Sequence, residues 1–286
     1  MERNPQSMRR RGVYLLPNLF TTAALFAGFY AVVASMHHAF DSAAIAIFVA
    51  MVLDGLDGRV ARMTNTQSEF GAEYDSMSDM VSFGIAPALV SYNWALEGLG
   101  KIGWLAAFIY TAGAALRLAR FNTQIGIADK RFFQGLASPA AAAIVAGMVW
   151  LGNDLGINPS LPDFEQSYSP WVPIFAAVLT VAAGLLMVSN FKYHSFKQFD
   201  WRGRVPFVVI LVVVLAFVII ATNPALVLFL GFLVYAASGP IVTIRSVKEL
   251  KMAHVVGDDD DEEDNPAGAP VVPSEPDSEQ PPAPRS

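Results

Sequence analysis

Four aspartates carry most of the chemistry legible in this chain. Asp54 and Asp57 stand three residues apart in Asp54-Gly-Leu-Asp57-Gly58-Arg-Val-Ala61-Arg62. Asp75 and Asp79 stand four apart in Gly71-Ala-Glu-Tyr-Asp75-Ser-Met-Ser-Asp79. Both spacings place a pair on one helix face, with Gly71 one turn before Asp75. If two neighbouring antiparallel helices meet at this loop, four carboxylates converge. Like charges that close repel, and ionised acids at membrane depth are expensive. One or two hard divalent cations held by oxygen ligands resolve both problems. Gly55, Gly58 and Gly71 remove side chains where a ligand or backbone must approach, and Arg62 can meet an anion beside the metal. Carboxylates, divalent ions and an arginine form a device for handling a diphosphate under attack. A single Asp here would read as a solvated helix end paired with Arg59 or Arg62; four at two helical spacings do not.

The elements that must position these acids are membrane helices. Of 286 residues, 54% are hydrophobic and only 15% charged, and the mean hydropathy is +0.43. A soluble globule could not hide so much apolar surface. There is no cysteine, which excludes disulfides, thiolate metal sites and thiol nucleophiles. A bilayer core of about 30 Å needs roughly 20 apolar residues per helix. Runs over 13–35, 41–58, 72–96, 102–122, 136–152, 171–190, 205–221 and 225–243 predict about eight transmembrane helices in an all-α polytopic bundle. The first run is too long, and lacks a small-residue cleavage site, for a signal peptide, so it is expected to be retained. Thr222-Asn223-Pro224 marks a turn between the last two runs.

Orientation follows from basic loop residues. Seventeen bases, from Arg3 and Arg9 through Arg59, Arg62, Arg117, Arg120, Lys130, Lys192 and Lys197 to Lys251, fall on one side, and only Lys101 on the other. This predicts both termini in the cytoplasm. Residues 255–286 hold ten acids against Arg285, a net −9, which leaves a weakly basic body in a chain of net charge −6. That tail is rich in Pro, Glu, Ser and Asp and is expected to be disordered. The pattern points to a bilayer and away from nucleic acid. The expected organisation is a basic cytoplasmic N-terminus over 1–12, a catalytic bundle over 13–200, two further helices with a basic end over 201–254, and the acidic tail. His37 and His38 read as loop residues far from the acids. Trp94, Trp104, Trp150, Trp171 and Trp201 read as an interfacial belt.

The motif Asp54-x2-Asp57-Gly58-x2-Ala61-Arg62-x8-Gly71-x3-Asp75-x3-Asp79 resembles the signature of the CDP-alcohol phosphatidyltransferases at every fixed position. The resemblance implies an integral membrane enzyme that displaces CMP from a CDP-alcohol with a second alcohol. It implies Asp54, Asp57 and Asp75 around one metal, Asp54, Asp75 and Asp79 around a second, and Asp79 as general base. It also implies Asn18, Thr21, Gly58, Arg62 and Ser68 at the CDP moiety, and a homodimer. The metal would be Mg2+ or Mn2+, both of which accept carboxylate oxygens.

Three further segments resemble the bacterial phosphatidylserine synthases of that family: Arg117-Leu-Ala-Arg120-Phe-Asn122, Phe133-Gln-Gly135-Leu-Ala137-Ser138-Pro139, and Met187-Val-Ser189-Asn190-Phe-Lys192-Tyr193 onward to Lys197. Relatives usually carry Pro where this chain has Ala137. The resemblance implies transfer of a phosphatidyl group from CDP-diacylglycerol to L-serine, giving phosphatidylserine and CMP, in the inner (cytoplasmic) membrane with the site facing the cytoplasm. Serine's carboxylate calls for a cation, and arginine binds carboxylates bidentately. Arg117 and Arg120 are candidates, with Asn122, Lys192 and Tyr193 as further acceptor or phosphate contacts; each could equally be an interfacial anchor. Glycerol 3-phosphate, inositol phosphate or choline as acceptor keeps the same chemistry. A divalent-cation transporter is the reading from another class, but it expects acids near the bilayer midplane.

Overall fold

A computed structural model describes residues 5–64, 66, 68–124, 132–160, 171–194 and 207–260. Each of the eight apolar runs overlaps a helical stretch among the described residues. α1 spans Pro5–Met36 and α2 spans Phe40–Thr64. The third run is a nearly unbroken helical path of α3 (Glu69–Asp79), a π-helical segment (Met80–Ile85), α4 (Ala86–Ser91), a second π-helical segment (Tyr92–Leu96) and a final 3-10 turn. α5 (Lys101–Gln124), α6 (Ser138–Asp154), α7 (Trp171–Val188), α8 (Phe207–Thr222) and α9 (Pro224–Asp260) follow. The chain divides into two compact units, Met1–Thr243 and Ile244–Ser286.

Among the described residues, four helices are long and apolar enough to cross a membrane: α1 through Pro17–Met36, α5 through Lys101–Thr123, α7 through Trp171–Val188 and α9 through Pro224–Thr243. α6 and α8, with 17 and 16 residues, are shorter. Almost every described side chain of α8, Leu211, Leu215 and Phe217 among them, is exposed, as suits contact with lipid tails. The acidic tail was expected to begin at residue 255, but helix α9 continues to Asp260; residues 261–286 lie outside the described set, as do Lys130, Arg131, Lys197, Arg202 and Arg204.

Small residues set the packing. Ala24, Ala27, Ala31 and Ala34 of α1 and Ala43, Ala44 and Ala50 of α2 are buried, so these two helices approach closely without large side chains between them. α6 is buried on all sides from Ala140 to Val149, which identifies it as the central helix. α5 and α7 meet at Gly113 and Gly184: a Cβ on Gly113 would lie 2.5 Å from the Gly184 carbonyl oxygen.

One feature departs from an all-helical reading. Strands β1 (Phe132–Gln134) and β2 (Lys192–His194) pair antiparallel, with Phe133 opposite Tyr193 and Gln134 opposite Lys192. Backbone that leaves a helix needs new partners, and these two short excursions supply each other's. The Gly135 and Leu136 amides extend the tie, donating to the Phe191 and Leu186 carbonyls at 2.9 and 3.0 Å. Gly135 has φ of +80°, and a Cβ there would lie 2.3 Å from the Met187 carbonyl oxygen, so only glycine fits.

Candidate metal and active site

α2 continues beyond the expected end of its apolar run, through Arg62 to Thr64. Asp54, Asp57, Gly58, Ala61 and Arg62 therefore share one unbroken helix and one face. α3 starts at Glu69 because Ser68 caps it: the Ser68 hydroxyl oxygen accepts from the Gly71 amide at 3.0 Å. That fixes the first turns of α3, from which Asp75 and Asp79 project toward α2.

The result is a compact cluster. One carboxylate oxygen from each of Asp54, Asp57 and Asp75 lies within 4.8 Å of the other two. Asp54 is also within hydrogen-bonding reach of Asp79, and Asp57 of Asp75. Asp57 is buried, at 5% exposure, while the other three are half-buried.

A divalent cation fits this donor set. Two opposed ligands on Mg2+ stand roughly 4.2 Å apart at bond lengths of about 2.1 Å, a few tenths of an ångström inside the observed spread. Asp75 Oδ1 is buried and has no hydrogen-bond partner among the described residues, which is costly for a carboxylate oxygen unless something positive meets it. The donors are all hard oxygens, the class that suits Mg2+ and Mn2+.

α1 buttresses the cluster from the side. Thr21 Oγ1 lies 2.8 Å from Asp57 Oδ2, and Thr21 is itself 4% exposed. The Ser78 hydroxyl donates to the Thr21 carbonyl at 3.1 Å, and the Ser82 hydroxyl to the Ala24 carbonyl at 3.0 Å. These bonds lock the start of the third helical path onto α1, one residue before Asp79 and three after it. Thr22 and Tyr74 share a hydroxyl–hydroxyl bond of 3.0 Å. Asn18 Oδ1 stands 3.4 Å from where a Cβ on Gly71 would be. Asn18, Thr21 and Ser68 thus border the aspartates, as the sequence suggested. Thr21 and Ser68 already have protein partners there, Asp57 and the Gly71 amide. Arg62 is exposed and lies across Gly58, its Nη1 3.4 Å from the position of an added Cβ. Gly55 faces open space.

The π-helical segment begins directly after Asp79. π-helical turns leave carbonyls without their usual partners and occur often at functional sites. Here the buried Tyr110 hydroxyl donates to the Phe83 carbonyl at 2.9 Å, tying α5 to the segment behind the cluster.

The end of α5 gathers the three other segments singled out in the sequence. Arg117 Nη1 donates to the buried Ser138 hydroxyl oxygen at 2.7 Å, at the first turn of α6. Arg120 donates to Gln134 Oε1 on β1 and, at 2.9 Å, to Asn190 Oδ1 after α7. Asn122 Nδ2 donates to the Ser76 hydroxyl oxygen at 3.1 Å, next to Asp75. Arg117 lies within electrostatic reach of Asp79. The buried Tyr193 hydroxyl donates to the Ala236 carbonyl at 3.0 Å. Lys192 stands opposite Gln134 in the ribbon. Ser138, Gln134, Asn190 and Tyr74 were not singled out from sequence. The first three lie inside the quoted segments, and only their partners across the fold give them a role.

A family model described as CDP-alcohol phosphatidyltransferase matches residues 14–183. The chain is 36% identical over 224 residues to a Helicobacter pylori protein named CDP-diacylglycerol–serine O-phosphatidyltransferase, covering 78% of this chain and 90% of that one. Proteins of the same name from Mycobacterium leprae and Bacillus subtilis are each 32% identical, over 84% and 64% of this chain and 78% and 92% of theirs.

Proposed function

The chain belongs to the CDP-alcohol phosphatidyltransferase family, and from that premise we propose that it transfers the phosphatidyl group of CDP-diacylglycerol to the hydroxyl of L-serine, releasing phosphatidylserine and CMP. The observation that carries this reading is the meeting of Asp54, Asp57 and Asp75 within 4.8 Å at the joined ends of α2 and α3. The names of the similar proteins support serine as the acceptor.

Asp54, Asp57 and Asp75 would hold one divalent cation, and Asp54, Asp75 and Asp79 a second, Mg2+ or Mn2+. When bound, such ions neutralise the diphosphate and polarise its phosphoryl oxygens. Asp79 takes the proton from the acceptor hydroxyl at a carboxylate oxygen as that hydroxyl bonds to the β-phosphorus. The bond from that phosphorus to the bridging oxygen breaks, and CMP leaves. Arg62, exposed above Gly58, meets the diphosphate beside Asn18 and Ser68, while Thr21 holds the Asp57 carboxylate. Arg117 and Arg120 bind the acceptor's carboxylate or the phosphate, with Asn122, Lys192 and Tyr193 around them.

The surrounding protein is an eight-span bundle with both termini in the cytoplasm, as the distribution of bases supports. It sits in the inner membrane as a homodimer, with the aspartates opening to the cytoplasmic leaflet. The test is an acceptor screen on the purified chain with CDP-diacylglycerol, measuring CMP release with L-serine, glycerol 3-phosphate, inositol phosphate or choline, with and without chelator. Release with serine that stops on chelation is the expected outcome. Release with a different alcohol alone would refute the serine assignment, and full activity in chelator would refute the metal one.

A further inference from the structure

One short segment, residues 134–138, holds both arginines at the end of α5. Gly135 turns the chain at φ of +80°, and the Gly135 and Leu136 amides tie the turn to the Phe191 and Leu186 carbonyls. Leu136 is fully buried, so packing anchors the turn as well. Gln134, before the turn, accepts from Arg120, and Ser138, after it, accepts from Arg117 Nη1 at 2.7 Å. Ser138 is 0% exposed, so its hydroxyl is a fixed point for the Arg117 guanidinium.

Contacts on either side of Arg117 place it beside the aspartates. α5 runs antiparallel to the third helical path. Ala114 Cβ stands 3.2 Å from where a Cβ on Gly84 would be, and about two turns further on Asn122 Nδ2 donates to Ser76. Arg117 follows Ala114 by one turn on the same face. It falls between those two contacts, within one turn of Asp79.

The bond to Ser138 leaves one edge of the guanidinium open. Nε is buried with no hydrogen-bond partner among the described residues. Nε and Nη2 form the edge whose two parallel N–H groups match the two oxygens of a carboxylate. Ser138 takes Nη1, the nitrogen outside that edge, and a neutral hydroxyl cancels none of the charge. A buried cation calls for an opposite charge. An acceptor's carboxylate supplies two oxygens and that charge together.

We propose that the acceptor's carboxylate binds the Nε–Nη2 edge of Arg117, and that Ser138 is a positioning residue that holds this edge in place for it. This deepens the phosphatidyl-transfer reading above and rests on it, because it needs an acceptor that carries a carboxylate.

The experiment uses purified full-length wild type, Ser138→Ala, Arg117→Lys and the double variant. For each, KM for L-serine, KM for CDP-diacylglycerol, turnover at saturation and the melting temperature are measured. Inhibition of the serine reaction by L-serinamide, which keeps the alcohol and the amine but lacks the negative charge, is measured alongside. Ser138→Ala is expected to raise the serine KM about tenfold, the lower end of what a hydrogen bond to a charged group contributes. Turnover, KM for CDP-diacylglycerol and the serinamide inhibition constant should stay at wild-type values. Arg117→Lys keeps the charge but loses the planar edge, and should raise the serine KM at least as far. In that background Ser138→Ala should add little, because both substitutions remove one coupled interaction. A wild type that releases CMP with another alcohol but not with serine, or with none, overturns the serine reading and this proposal together. With wild type active on serine, that reading stands and the variants decide the proposal alone. An unchanged serine KM in either variant, equal rises in both KM values, or full additivity would then overturn it. Loss of the fold in Ser138→Ala would make Ser138 structural and overturn its positioning role.

Discussion

Replacing Thr21 by Val removes one hydroxyl and almost no volume, and it tests how the cluster is held. In the structure Thr21 Oγ1 lies 2.8 Å from Asp57 Oδ2, with the two residues 4% and 5% exposed. Water cannot readily take the place of the lost hydroxyl at such a site. A hydrogen bond to a charged group contributes about 1.5–3 kcal/mol. At about 1.36 kcal/mol per factor of ten, that corresponds to roughly 10- to 150-fold in any equilibrium that needs Asp57 ionised and oriented. Loss of an outer partner of a metal ligand typically weakens metal binding about 10- to 100-fold, so two independent lines give the same range. The assay is CMP release from CDP-diacylglycerol and serine titrated with Mn2+ and, separately, with Mg2+. Thr21→Val should move both half-saturation points up by about one to two decades, with turnover at saturating metal much less affected. An unchanged metal dependence with a raised KM for CDP-diacylglycerol would refute this reasoning. Thr21 would then belong to the nucleotide, as the family resemblance alone implied.

Three other substitutions probe separate parts of the chain. Asp79→Asn should lower turnover about 10²- to 10⁴-fold if this carboxylate is the base, measured as CMP release at saturating metal; near wild-type turnover would defeat that role. Ala137 has φ of −61° and ψ of 136° ahead of α6, a conformation proline adopts without strain. Ala137→Pro should therefore stabilise by about 0.4–1 kcal/mol, read as a small rise in melting temperature. A Cβ on Gly184 would lie 2.8 Å from Tyr110 Cα, and backbone cannot rotate away as a side chain can. Gly184→Leu should force α5 and α7 apart and destabilise by about 1–3 kcal/mol or more, lowering the melting temperature by several degrees.

The acids were legible because their spacing is a property of one helix at a time. Asp54 with Asp57 and Asp75 with Asp79 name a face each, and a short loop between two apolar runs brings the faces together. The helices were legible for a similar local reason, since apolar length alone marks them. What could not be read is whatever depends on residues distant in sequence. Thr21 and Asp57 are 36 residues apart, Arg120 and Asn190 are 70 apart, and Tyr193 and Ala236 are 43 apart. Nothing local distinguishes an arginine that anchors a helix end at the lipid surface from one that ties two strands together. The β1–β2 ribbon was missed because three residues are too few to show alternation, and its stability comes from the partner strand. Gly135 was quoted as part of a motif, but its positive φ is visible only once Met187 is seen beside it.

The site is supported from two directions, and the two supports differ in kind. The aspartates are braced by α1 through hydroxyls bonded to backbone carbonyls and to Asp57, contacts that fix position without adding charge. The family model covers this part of the chain, from residue 14 onward. Arg117 and Arg120 are instead braced by Ser138, by Gln134 of the β-ribbon and by Asn190. Activating a CDP-alcohol is common to every member of the family, whereas the alcohol that attacks differs between members. A diphosphate handled by metals needs the same rigid carboxylates whatever attacks it. The acceptor is recognised by side chains whose direction depends on their neighbours. If Arg117 and Arg120 bind the acceptor, as proposed, acceptor choice can change through their partners Ser138, Gln134 and Asn190 while the aspartates and their bracing from α1 stay as they are.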